Sequence, residues 1–160
     1  MGQENFEQTI KDFILETSST TSQLAEYSED FVEYLQKTSN EIYELASKEW
    51  MEILSLRAPE PVEKLSLEAI QAGIAFVFQL HPATKYKNFL NKTLVSYRSN
   101  DETYFLDLNL QESQWLYYFQ ETKTIEQLEL LLETGKMSEQ ELWNLIFDWI
   151  KKEIIYCSHL

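Results

Sequence analysis

Ser138-Glu139-Gln140-Glu141-Leu142, approached through Gly135 and Met137, is the stretch from which the rest of the chain can be read. Ser138 and Glu141 have the spacing of a capping box, in which a hydroxyl and a carboxylate satisfy the first free N–H groups of a helix reciprocally. Met137 and Leu142 are placed to staple that entry, and Gly135 supplies the residue that closes a preceding helix. A helix is expected near 139–152, with Leu142, Leu145, Ile146, Trp149 and Ile150 as its apolar stripe. Working backwards, Thr124 with Gln127 repeats the signal for a helix over 125–134, and Asn109 with Glu112 repeats it for about 110–121.

Further upstream the pattern changes from period 3.6 to period 2. Thr93–Tyr97 and Thr103–Leu108 are rich in β-branched and aromatic residues and flank the polar run Arg98-Ser99-Asn100-Asp101-Glu102, which predicts a β-hairpin. Glu153 to Cys157 reads as one more strand. Nothing before Thr93 reads as a strand, so Thr93–Tyr97 is expected at a sheet edge, open to a partner segment unless Ile154–Cys157 fills it.

The segment Tyr104-Phe105-Leu106-Asp107-Leu108-Asn109-Leu110, then Trp115-Leu116, then Thr124-Ile125-Glu126-Gln127-Leu128 gives the order hairpin, capped helix, Thr-capped helix. In that order residues 92–157 resemble a winged-helix or PqqD-like domain. The turn Glu121-Thr122-Lys123 departs from the glycine-containing turn usual there, and the second strand of a wing is missing. The resemblance implies binding of leader peptides or partner proteins, often by strand addition.

The N-terminal half reads as helical. Phe6, Ile10, Phe13 and Ile14 predict a short first helix, ended by Thr17-Ser18-Ser19-Thr20-Thr21-Ser22. Thr20 and Gln23 can cap a second, whose stripe of Leu24, Tyr27, Phe31, Leu35, Ile42, Leu45 and Ile53 runs to about Leu56. Arg57-Ala58-Pro59-Glu60-Pro61 forms a boundary, because the prolines force extended geometry. Ser66 then caps a helix whose body, Ala69 to Leu80, is apolar on nearly every face, as in a helix surrounded by protein. His81-Pro82 ends it, with His81 at its C-cap, and Lys85 to Leu90 adds a short turn or helix. The fold class expected is mainly α with a small β-hairpin: acidic amphipathic helices over 1–56, a linker and buried helix over 57–91, and a winged-helix-like α+β domain over 92–160.

Charge limits the partners. The chain carries 27 acidic and 13 basic residues, a net −14, of which residues 1–56 hold −9. DNA, RNA and anionic membranes attract cations and would repel such a chain. The predicted last helix places Glu139, Glu141 and Asp148 where a DNA-reading helix would offer bases and amides. With 44% hydrophobic residues the chain can nonetheless build a core. A protein partner is expected, with no nucleic acid and no membrane, and residues 22–56 offer a stripe through which copies could associate.

Chemistry-bearing residues are few. Cys157 is the one cysteine, which excludes an internal disulfide and a multi-thiolate zinc site. Only His81 and His159 could act as imidazoles, and three glycines cannot build a phosphate loop. No catalytic, metal or cofactor constellation is read, so an enzyme is not expected. Cys157-Ser158-His159-Leu160 has the spacing of a prenylation box, but Ser and His stand where aliphatic residues belong, and a half-buried thiol ending the last strand is favoured. The start lacks the basic and apolar regions of a signal peptide, so a cytoplasmic location is expected.

Aromatic crowding is the remaining signal. Trp115, Leu116, Tyr117, Tyr118 and Phe119 cannot share one helix face, and Trp143 and Phe147 lie on the flank of the last helix. Tyr97, Tyr104, Trp115, Tyr118, Trp143 and Phe147 are therefore the candidate partner-binding residues, unless the N-terminal helices cover them. The leading expectation is a non-catalytic protein-binding adaptor, assembly factor or accessory subunit. The alternative is an acidic, nucleic-acid-mimicking inhibitor of a basic protein.

Overall fold

The structure, a computed structural model, describes residues 3–17, 24–37, 39–72, 75–132 and 138–160. Two compact units are present, Met1–Trp50 and Met51–Leu160. The boundary falls within a helix, whereas the sequence suggested breaks at 56 and 91. Gly135, Met137, Thr20, Gln23 and Gly73 lie outside the described residues, and with them the closing glycine, the staple and the Thr20–Gln23 cap.

In the first unit, α1 (Gln3–Glu16) forms where the Phe6–Ile14 spacing predicts it. The long second helix does not. It is divided into α2 (Leu24–Leu35) and α3 (Asn40–Arg57), with turn bonds from the N–H groups of Gln36 and Lys37 to the carbonyls of Glu33 and Tyr34. Phe13 sits between Phe31 and Tyr34, at ring separations of 5.0 and 5.3 Å, and is buried with Leu35 and Val32. On α3 the expected stripe is wrong: Leu45 is 60% exposed, and Tyr43, Ser47, Met51 and Ser55 are the buried positions. That face, at spacing four, is partly built from serines, so a hydrophobic pattern alone cannot find it.

The second unit corrects the fold class. It holds five antiparallel strands in two sheets beside its helices, a mixed α+β fold rather than mainly α with one hairpin. Ser66 does cap a helix, accepting from the Ala69 N–H at 3.2 Å, but α4 spans only Leu67–Gln71. The last five residues of the supposed buried helix form β1 (Phe76–Leu80), and Lys85–Asn88 is β2 rather than a turn or helix. A short apolar run has no period that separates a buried strand from a buried helix. Long-range pairing decided it: β1 runs antiparallel to β5 (Ile155–His159), with Phe78 opposite Cys157. His81 therefore follows a strand and caps no helix.

The predicted hairpin is present as β3 (Thr93–Ser99) and β4 (Glu102–Leu108). Its turn residues Asn100 and Asp101 have φ of 52° and 64°, the left-handed pair that a type I′ turn requires. The sheet order is β2-β3-β4, so β3 is central and Thr93–Tyr97 is not an edge. β2 fills the place, and the terminal strand pairs elsewhere.

Three helices follow, α5 (Leu110–Tyr118), α6 (Ile125–Leu132) and α7 (Glu139–Lys151). The Asn109/Glu112 and Ser138/Glu141 capping boxes are both complete. Thr124 and Gln127 exchange reciprocal bonds of 3.0 and 3.3 Å. Bonding to Ser138 also holds the Glu141 carboxyl below its ordinary range. Leu142, Ile146 and Trp149 of α7 meet Leu116, Phe119, Leu128, Phe78 and Val95 in one fully buried core. On the other face of β3, the end of α3 packs closely, with Ser55 Oγ 2.8 Å from Ser96 Oγ.

Candidate functional site

Edge strands carry unpaired backbone groups, and the edges of the second unit differ in what covers them. The outer side of β1 is occupied: Phe78 and Lys123 exchange backbone bonds of 2.8 and 2.9 Å, and the Leu80 N–H donates to the Phe119 carbonyl at 3.0 Å. The outer side of β5 receives the Leu65 N–H on the Cys157 carbonyl at 2.8 Å. β2 is four residues long, and its Tyr86 is engaged by Gln120 and by the Tyr117 ring at 5.5 Å. Among the described residues, no strand pairs with the outer side of the seven-residue β4.

The register fixes which groups that edge presents. A two-residue turn makes Ser99–Glu102 a hydrogen-bonded pair, and the alternation continues through Tyr97–Tyr104, Val95–Leu106 and Thr93–Leu108. The N–H and C=O groups of Thr103, Phe105 and Asp107 therefore point away from β3. On the helix-core face, Tyr97 and Tyr104 stack with centroids 5.6 Å apart. Tyr104 is 41% exposed and Phe105, on the opposite face, 37%. The Tyr104 hydroxyl donates to Glu102 at 2.8 Å, and this bond to a carboxylate raises its pKa. Glu102 and Asp107 bracket the uncharged Tyr104-Phe105-Leu106, and Lys92 reaches Asp107 at 3.0 Å.

The six candidate residues separate. Tyr97 and Tyr104 flank the open edge. Trp115 and Tyr118 belong to the core: Trp115 is buried, and Tyr118 packs on Trp115 and Phe119, donates to the Gln127 carbonyl and lies under the Lys123 ammonium at 4.5 Å. Trp143 rests on Phe78 and on Phe147, which is 46% exposed at the surface of α7. Phe105 and the outward backbone of β4 are the functional candidates that sequence reasoning missed. Placing Tyr97 opposite Tyr104 required only the hairpin register, but the open side required knowing β2.

Elsewhere, a cavity of about 450 Å³ lies between the β2–β3 turn and α5, lined by residues including Asn88, Asn91, Gln114 and Tyr117. The Cys157 thiol is fully buried rather than half-buried, and burial pushes its pKa up to about 12, far from that of a reactive thiolate. Among the described residues no group of three His, Cys, Asp or Glu side chains is placed to hold a metal, and no helix is long and apolar enough to cross a membrane. No known protein family matches the chain, and no curated protein is similar to it in sequence.

Proposed function

We propose that the protein is a non-catalytic binding module, acting as an adaptor, assembly factor or accessory subunit that captures an extended segment of a partner protein by strand addition to β4. The observation that carries this reading is the seven-residue edge of β4, with which no strand pairs among the described residues, in a unit whose other edges are bonded or short. Backbone pairing would supply affinity, and alternate side chains would find Tyr104 and Leu106 on one face and Phe105 on the other. Charge selects the occupant. Glu102, Asp107 and the net −14 of the chain favour a basic segment and oppose self-pairing of two copies. The same mode of binding is what the winged-helix or PqqD-like resemblance of residues 92–157 implies.

Phe105→Pro tests it. The substitution removes one outward N–H while leaving the hydrogen-bonded pairs to β3 intact. A fluorescent peptide alternating lysine with valine should bind the full chain, and the variant should lose at least about tenfold in affinity, or about 1.4 kcal/mol, with its circular dichroism unchanged. Equal binding by a folded Phe105→Pro variant would exclude the β4 edge. Affinity that vanishes at high salt would favour the acidic-mimic reading, since backbone pairing is far less sensitive to screening.

A further inference from the structure

His81 is buried, with its side chain 1% exposed, and none of the edge-pairing described above uses it. It opens the turn that joins β1 to β2. Its backbone N–H donates to the Ile154 carbonyl at 2.9 Å, and its carbonyl accepts from the Thr84 N–H at 2.8 Å. The Thr84 hydroxyl donates to the same Ile154 carbonyl, at 2.9 Å. Within the turn, the Ala83 N–H donates to His81 Nδ1 at 3.1 Å. A backbone N–H can only donate, so Nδ1 is the bare nitrogen and the ring proton sits on Nε2. Nε2 is buried without a hydrogen-bond partner, and faces a Glu60 carboxylate oxygen 3.5 Å away.

Glu60 belongs to the strap 58–65, which passes from α3 to α4. Polar tethers on this strap are the ion pairs Glu60–Arg98 and Lys64–Glu153 and the single bond from the Leu65 N–H to Cys157 on β5, and the half-buried Leu65 side chain packs against the core. Arg98 also donates to the Ser55 and Leu56 carbonyls at the end of α3, at 3.2 and 2.9 Å.

We propose that His81 is a proton-sensitive latch, whose second protonation opens the turn and releases the strap 58–65 from β5. A proton added at Nδ1 would face the Ala83 N–H, donor against donor, and cost that hydrogen bond. The charged ring would also need water that its site excludes. The charged groups facing it act in opposite directions. Glu60 on the strap and Glu153 beyond α7 favour the charge, Lys64 on the strap and Arg98 on β3 oppose it, and Tyr156 on β5 presents an uncharged ring 5.9 Å away. Burial is the largest influence and lowers the pKa below its ordinary value. Protonation thus favours whichever state lets water reach the ring. Between the two covers of His81, the strap is held by two ion pairs, one backbone bond and the half-buried Leu65 side chain, whereas β1–β5 is a five-pair ladder that carries the buried Phe78 and Cys157. The strap is the cheaper to lift. Its release would free the Cys157 carbonyl and bare a second sheet edge.

The sign follows from linkage. A base whose pKa is lowered in the closed state stabilises that state fully above its open-state pKa, and less as pH falls below it. In the full-length chain, the His81 ring is followed by NMR, with His159 the only other histidine, alongside amide exchange at Leu65. The ring should show the Nε2–H tautomer near neutrality. Below about pH 6.5, Leu65 exchange corrected for intrinsic chemistry should rise about tenfold per pH unit until the closed ring itself titrates. In His81→Asn the side-chain oxygen can accept from Ala83 without titrating, and the rise should disappear. The same rise in that variant would overturn the latch. If the variant does not fold, the wild-type ring decides: a ring that titrates at its ordinary value while Leu65 exchange stays flat also overturns it.

Discussion

Three described residues other than glycine have positive φ: Asn100, Asp101 and Glu153. Such residues carry a backbone cost that glycine avoids. Among the described residues the Asp101 side chain makes no hydrogen bond, so Asp101→Gly should stabilise the hairpin by up to about 1 kcal/mol, seen as a higher midpoint in urea. An unchanged or lower midpoint would show that the aspartate supports the turn in some other way. Glu153 differs. It is the left-handed residue of a Schellman motif, with the Ile154 N–H bonded to the Trp149 carbonyl at 2.9 Å and the Glu153 N–H to Ile150 at 3.1 Å. Burial opposes its ionisation, yet pairing with Lys64 leaves the carboxyl below its ordinary range. At this scale the sequence was legible wherever a motif has its customary residues, as in the caps at Asn109, Thr124 and Ser138. It was not legible at Glu153, where glycine would have been the signal.

At the scale of elements, helices with caps and the existence of the hairpin could be read, because their signals are local, although its turn is two residues long and not the five-residue run Arg98–Glu102 expected. Strand β1 could not, since its identity comes from β5 at the far end of the unit. The free side of β4 was hidden for the same reason: it followed from the β2–β3 pairing, and Lys85–Asn88 carries two lysines and an asparagine that weaken a strand signal. The buried face of α3 misled in the opposite direction. Ser55 is small because the helix approaches the sheet closely there, and its hydroxyl meets Ser96. Ser55→Leu, which a hydrophobic-stripe reading would regard as an improvement, should instead destabilise by about 1–3 kcal/mol through overpacking and the lost bond. Denaturant unfolding of the two proteins measures this directly. A gain in stability would mean that the helix can retreat from the sheet at little cost.

For the molecule as a whole, charge makes the firmest claim. With net −14 the full chain should give no change in fluorescence anisotropy of random duplex DNA at physiological salt, because no excess of cations exists to displace phosphate counterions. A salt-sensitive, micromolar shift would contradict the acidic-surface argument on which the choice of a basic partner segment rests.

The pairing of β1 with β5 also governs the order in which the second unit can assemble. Strands β2, β3 and β4 are neighbours along the chain, so their meander closes only short loops. The β1–β5 ladder joins Phe76 to His159 and closes most of the unit as one long loop, forfeiting more chain entropy before its first bond forms. Its nucleation thus falls after the meander, and the burial of Cys157 and the seating of the turn at His81 fall with it. Until then a growing chain would display Phe76, Val77 and Phe78 unpaired, the interval in which it is most exposed to misassociation.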